Sequence, residues 1–310
     1  MSNTAVIFPG QGSQSVGMLG SLAERYPIVR KTFDEASDAL GNDLWSLAAD
    51  GPAERLDQTE WTQPTLLAAD IAVWRAYREA GGAMPGSMAG HSLGEYAALV
   101  AAGSLELADA VRIVRKRGQL MQAAVPEGTG AMAAVLGLND ETVAEVCEAG
   151  AEDSVVVPAN YNAPGQVVIA GERDAVERAA EACRDAGARR AMLLSVSVPA
   201  HSPLMQPAQQ GLRSALEAVE IRSPACPVLH NVGLAPRSDA AAVLEALVLQ
   251  LTHPVRWTGT IRELSNHGAT RFLECGPGRV LTGLGRRIER EAEWLALEAS
   301  ETLVQAARAA

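Results

Sequence analysis

Residues 87–103 read SMAGHSLGEYAALVAAG, and this stretch decides the fold. A short apolar run leads into Gly90-His91-Ser92-Leu93-Gly94, and an alanine- and leucine-rich run follows. The pattern predicts a strand, a sharp turn and a helix. A serine between two glycines at such a turn matches the nucleophile elbow, where the glycines make room and the serine projects from the tip. The backbone N–H of Leu93 would then face the place where an oxyanion forms, and the next helix adds its positive N-terminal end. A tight turn without chemistry also satisfies the bare GxSxG pattern, because glycine and serine are common. The strand-turn-helix context favours the elbow.

Outward from this point, strands and helices alternate. TAVIFPGQGSQ (4–14) predicts a buried strand ending in a glycine-rich loop. Helical periodicity covers residues 21–40 and 64–80, the second with Pro64 in its first turn. Residues 106–125 predict another helix. Such alternation favours a parallel sheet covered on both faces. Residues 128–197 differ. AMAAVLGL, SVVVPAN, GQVVIAG and RRAMLLSVSV are strand-like, and two helices separate them, the first capped by Asn139. The order βαββαβ is the ferredoxin-like arrangement. The expected organisation is therefore a main domain of residues 1–127 and 198–310 with an inserted subdomain at 128–197. A cleft between them is a natural ligand site. In the second half of the main domain, PVLHNVG and RFLECG predict strands, with helices between and after them.

The 310 residues are 48% hydrophobic, enough for a substantial core, and carry a net charge of −11. That charge argues against a general nucleic-acid binder, whose footprint would be basic. Cys147, Cys183, Cys226 and Cys275 stand far apart without a CxxC pair, which predicts free buried thiols rather than zinc or disulfides. The first residues lack the basic start and apolar run of a signal peptide. No stretch approaches the roughly 18 apolar residues of a membrane span. A soluble, cytoplasmic chain without nucleic-acid or membrane partners is expected.

A serine nucleophile needs a base. His91 adjoins Ser92, but on a sharp turn its side chain points elsewhere, towards packing or a hydrogen bond. His201 follows the strand-like LLSVSVP at a strand end, where catalytic residues of α/β folds gather. His253, in a loop before Pro254, is a second candidate. His230 fits a strand pattern and His267 a polar helix end. Arg112, Arg115, Lys116 and Arg117 cluster on one predicted helix. The ordinary reading of such a run is a solvated face. At 3.6 residues per turn the four cannot share one face. Arg117 aligns with Val114, Leu120 and Met121 and is expected to point inward. A buried arginine requires an anionic partner, and a substrate carboxylate would qualify.

Eight separated motifs together resemble the malonyl-CoA:acyl-carrier-protein transacylase family. They are FPGQGSQ (8–14), TQP (62–64), GHSLGEY (90–96), RGQLMQ (117–122), NYNAPGQVVIAG (160–171), VSVPAHSPLM (196–205), QLTHPVRW (250–257) and ECGPGRVLTGL (274–284). The resemblance spans residues 4 to about 290. It implies an α/β-hydrolase-like core with a ferredoxin-like insertion, a ping-pong transfer of malonyl, and no bound cofactor or metal. It implies Ser92 as nucleophile, His201 as base, and backbone N–H groups of Gln11 and Leu93 as the oxyanion hole. Arg117 would hold the malonyl carboxylate, and the backbone carbonyl of Gln250 would orient the histidine. Gln63, Asn160 and Asn162 match positions lining the cleft. The implied partners are malonyl-CoA and an acidic acyl carrier protein with its phosphopantetheine; Lys116, Arg189, Arg190, Arg286 and Arg287 are candidates for a basic patch that meets it, though each taken singly reads as ordinary surface charge. A monomer is expected. Two other readings share the same elbow: a serine esterase or thioesterase with water as acceptor, and a non-catalytic module that docks a carrier protein.

Overall fold

The computed structural model describes residues 3–196 and 198–308. Ser197, the last residue of the expected insertion, and the two chain ends lie outside the described residues. Among the described residues, nine strands form two sheets. The first contains β1 (Thr4–Phe8), β2 (Ser87–Gly90), β7 (Val228–Leu229), β8 (Arg271–Glu274) and β9 (Glu293–Ala296) in the order β7-β2-β1-β8-β9. Every pair is parallel. β1 is buried on both faces, as its unbroken apolar run requires. Val6 and Phe8 enter one core, with Leu99, Val111 and Val114, whereas Ala5 and Ile7 enter another with Trp257, Ile261 and Phe272. This is the period-two alternation of a strand between two helical layers.

Register matters for the site. Phe8 pairs with Gly90, and Ile7 pairs with Ala89 and Glu274. The carboxyl ends of β1, β2 and β8 therefore lie side by side, and the loops at Pro9, His91 and Cys275 leave the sheet together. Open parallel sheets place their ligands at such ends.

The second sheet contains β3 (Gly130–Leu136), β4 (Val156–Ala163), β5 (Gln166–Glu172) and β6 (Arg190–Leu193), in the order β4-β5-β3-β6 with antiparallel pairs. Helices Asp140–Ala151 and Arg173–Asp185 complete the βαββαβ unit and cover one face around Ala133, Val135, Val167 and Ile169. Asn139 caps the first, its side chain accepting the Thr142 N–H at 2.7 Å. The opposite face presents Met132, Ala159, Val168 and Ala170 to Val196 and Ala200 of the returning chain. β4 is stitched to the main domain by the Tyr161 N–H to Val255 carbonyl bond (2.9 Å) and the Val255 N–H to Ala159 carbonyl bond (2.8 Å). The architecture is an α/β-hydrolase-like parallel core with a ferredoxin-like insertion.

Several elements depart from the expected bounds. The helix expected over 21–40 is two, Gly20–Arg25 and Ile28–Leu40. Pro27 lacks the N–H that would continue the ladder, and it forces Tyr26 extended at φ −122°. The helix expected to start at Pro64 starts at Thr59 and carries the proline inside. Almost every residue to Tyr77 is buried, and that burial outweighs one missing backbone bond. The strands expected in PVLHNVG and RRAMLLSVSV shrink to two and four residues, β7 and β6. β9 and helix Ser300–Arg308 were not foreseen; Trp294 of β9 stacks on Phe272 at 4.3 Å. The four cysteines are buried and unbridged. No helix among the described residues is long and apolar enough to cross a membrane.

Candidate active site

The turn after β2 is as tight as GxSxG suggests. A Cβ on Gly90 would overlap the Gly94 carbonyl, and one on Gly94 would overlap the Phe8 carbonyl. Ser92 between them has φ 52°, a left-handed conformation that a non-glycine residue holds only when its surroundings impose it. Those surroundings are specific. Asn231 Oδ1 accepts the Ser92 N–H at 2.8 Å, and Asn231 Nδ2 donates to the Gly90 carbonyl at 2.7 Å. Gln250 Nε2 donates to the Ser92 carbonyl at 3.0 Å.

His201 lies opposite, 3% exposed, with φ 60°. Its Nδ1 is 2.8 Å from the Gln250 backbone carbonyl. A carbonyl only accepts, so Nδ1 carries the proton and Nε2 is bare. That Nε2 lies 2.8 Å from Ser92 Oγ and accepts its hydroxyl proton. Burial, then the nearby Arg117 charge, push the imidazole pKa down to about 3, so the ring is neutral and able to take a proton. His91 turns away from Ser92, as expected; its Nε2 meets Asn162 Oδ1 at 2.8 Å and its ring packs 5.4 Å from Trp257. His253 and His267 are exposed and make no hydrogen bond to Ser92 among the described residues, and His230 is fully buried behind the elbow.

Arg117 points inward and is 2% exposed. Its helix, Leu107–Ala123, approaches Glu60 so closely at Gly118 that a Cβ there would lie 2.7 Å from the Glu60 Cα. The guanidinium donates to Gln63 Oε1 at 2.8 Å, Gln250 Oε1 at 3.1 Å and Ser92 Oγ at 3.2 Å. All three acceptors are neutral. Burial pulls the guanidinium's pKa below its ordinary value, yet arginine stays charged in proteins. Among the described residues it has no carboxylate at ion-pair distance. Arg112, paired with Asp109, and Lys116 are exposed as the ordinary reading expects, whereas Arg115 is half-buried, pairing with Glu60 and stacking 3.4 Å over Trp61.

A cavity of about 220 Å³ joins these groups. Ser92, His201, Arg117, Gln63, Gln11 and Leu93 line it from the main domain, and Asn160, Asn162, Met132 and Val168 from the insertion. Among the described residues, the backbone N–H groups of Gln11 and Leu93 make no hydrogen bond. Sequence reasoning passed over Glu95 and Asn231 and set His230 aside as a strand residue; all three are buried beneath the elbow. One signal was available: Glu95 is the only charged residue in helix Gly94–Ala101.

The acyl transferase domain family matches residues 5–302. The malonyl CoA-acyl carrier protein transacylase of Salmonella typhimurium is 55% identical over 288 residues, which is 93% of each chain. That of Bacillus subtilis is 45% identical over 304 residues, 98% of this chain and 96% of that one. The solved malonyl CoA-acyl carrier protein transacylase of Coxiella burnetii superposes with a TM-score of 0.98 at 48% identity, covering 99% of this chain and 97% of that one. A malonyl-transacylase solved in complex with a type II PKS acyl-carrier protein also superposes at 0.98, with 51% identity and full coverage of both chains. With the family match running over nearly its whole length, this chain belongs to the acyl transferase domain family.

Proposed function

We propose that the chain moves a malonyl group from malonyl-CoA to the phosphopantetheine thiol of acyl carrier protein, for fatty acid synthesis, through a malonyl ester on Ser92. The observation that carries the acyl-group assignment is the buried Arg117 guanidinium beside Ser92 Oγ, held only by neutral acceptors. Such a charge calls for an anion. A short dicarboxylic acyl group supplies one at the right place: its thioester carbon meets Oγ while its free carboxylate takes the guanidinium.

The steps follow from the atoms. Ser92 Oγ attacks the thioester carbonyl as His201 Nε2 takes its proton. The oxyanion accepts the N–H groups of Gln11 and Leu93; losing one such donor costs about 2.7–4 kcal/mol in other enzymes. The C–S bond breaks, the CoA sulfur takes the proton from His201, and the malonyl-serine ester remains. The carrier thiol then gives its proton to His201 and attacks the ester. Collapse expels Ser92 Oγ, which recovers the proton. The Gln250 carbonyl keeps Nδ1–H in place throughout. Asn160 and Asn162 bound the acyl pocket from the insertion, and Gln63 braces Arg117.

The division at residues 128–197, a cytoplasmic location and a monomeric state belong to the same proposal. The exposed Arg189, Arg190, Arg286 and Arg287 are offered as the surface that meets the acidic carrier. The test is to follow acyl transfer from malonyl-CoA to purified holo carrier protein with hydrolysis measured alongside. Malonyl-carrier should form much faster than free malonate. Rapid malonate release without carrier would instead make this a thioesterase.

A further inference from the structure

Glu95 occupies the first turn of helix Gly94–Ala101 and is fully buried. Its hydrogen bonds form one connected set behind the site. Oε1 lies 2.6 Å from His230 Nδ1. Oε2 accepts the Asn231 N–H at 3.0 Å and Gln250 Nε2 at 2.8 Å. Asn231 is the residue that grips the elbow at Ser92 and Gly90. Gln250 is the residue whose Oε1 receives Arg117 and whose backbone carbonyl receives His201.

The amide of Gln250 has one orientation available. Its nitrogen faces a carboxylate and a carbonyl, and its oxygen faces a guanidinium. Turned over, the oxygen would oppose the Glu95 carboxylate and the nitrogen would oppose Arg117, donor against donor and acceptor against acceptor. The amide also separates the two charges. A carboxylate in direct contact with Arg117 would form a closed ion pair and occupy the charge a substrate needs. With the amide between, Arg117 is oriented but its charge stays available.

We infer that Glu95 is a positioning residue for both halves of the reaction. Through the Gln250 side chain it fixes the direction of the Arg117 guanidinium, and through Asn231 it holds the strained backbone of Ser92. The inference rests on the proposed role of Arg117 as the malonyl-carboxylate binder.

The test compares kcat/KM for malonyl-CoA and acetyl-CoA transfer in Glu95→Ala, Glu95→Gln and Gln250→Met, with Arg117→Ala as reference. Glu95→Ala unties Gln250 and should lower the malonyl-to-acetyl ratio by roughly tenfold, the scale of a lost charge-assisted hydrogen bond. Glu95→Gln should restore the ratio. Its carbonyl oxygen can accept from Asn231 and Gln250, while its amide nitrogen donates to His230 Nδ1 in the other tautomer. In that tautomer the proton sits on His230 Nε2, which has no partner among the described residues, so this variant should be less stable while its malonyl-to-acetyl ratio recovers. Gln250→Met keeps the backbone carbonyl but removes the amide, and should lower the ratio as Glu95→Ala does; it carries the test if Glu95→Ala fails to fold. An unchanged ratio in Gln250→Met, an unchanged ratio in folded Glu95→Ala, or no recovery in Glu95→Gln overturns the inference. If Arg117→Ala itself leaves the ratio unchanged, the assignment of Arg117 fails instead. If only Arg117→Ala shifts it, the role of Glu95 alone is refuted.

Discussion

Ser92 and His201 stand 109 residues apart in sequence, yet Oγ and Nε2 meet at 2.8 Å and both residues hold left-handed backbone, φ 52° and 60°. Neither is glycine, so each conformation is imposed by its neighbours, at a cost on the order of 1–3 kcal/mol. Both strained positions carry the two groups proposed to react.

The strain makes a stability prediction. Ser92→Ala and Ser92→Gly both remove the hydroxyl proposed as nucleophile, but only glycine relaxes at positive φ. The glycine variant should melt above the alanine variant in a thermal scan, with no acyl adduct in either. An alanine variant that melts higher would mean that φ 52° costs nothing here.

Arg117→Ala removes the buried charge. Malonyl transfer should fall by about a hundredfold, because the proposed carboxylate site loses its charge. Acetyl transfer should fall far less, so the preference narrows or reverses. The measurement is kcat/KM for both donors. Equal losses for the two would detach Arg117 from acyl choice.

The low His201 pKa makes a pH prediction with a definite sign. The proposed base would work only when neutral, and burial with the Arg117 charge keeps it neutral down to about 3. Its loss should therefore not appear in the kcat/KM profile near the ordinary histidine value of 6.5. In Arg117→Ala the repelling charge is gone, and the acid limb should move to higher pH. Stability is linked the same way. Below pH 6.5 the unfolded chain binds a proton that native His201 refuses, so stability falls as pH drops from there towards 3. His91, also held low by burial, acts in the same direction.

Asp70 acts oppositely. It is fully buried, and neither carboxyl oxygen has a hydrogen-bond partner among the described residues. Burial, then nearby Glu274, hold its pKa well above the ordinary 3.8. The native state keeps a proton that the unfolded chain loses, so stability falls as pH rises above 3.8. Asp70→Asn cannot ionise in either state. Its gain in melting temperature over the parent protein should be larger at pH 8 than at pH 5, and a gain independent of pH would contradict this account.

How far the sequence reaches is clear from particular residues. The elbow is legible because its cause is local: two glycines, a serine and a helix within a few positions. Arg117 is legible from helical period alone. The pairing of His201 with Ser92 rests on two loops meeting at the end of a sheet, so the residues nominate the histidine and only the fold brings it to the serine. Glu95, Asn231 and the side-chain role of Gln250 are illegible for the same reason, since Glu95 meets the other two across 136 and 155 residues, whereas the Gln250 backbone carbonyl is reached through the family resemblance. Pro64 misleads because its local preference for a helix start is overridden by the burial of the turn before it.

The most direct measurement is the peptide-mapped mass of the acyl-enzyme formed from an equal mixture of malonyl-CoA and acetyl-CoA. The account predicts a malonyl adduct on the peptide carrying Ser92, absent in Ser92→Ala and lost on adding holo carrier protein as malonyl-carrier appears. An adduct on another residue, or one that is chiefly acetyl, would contradict it.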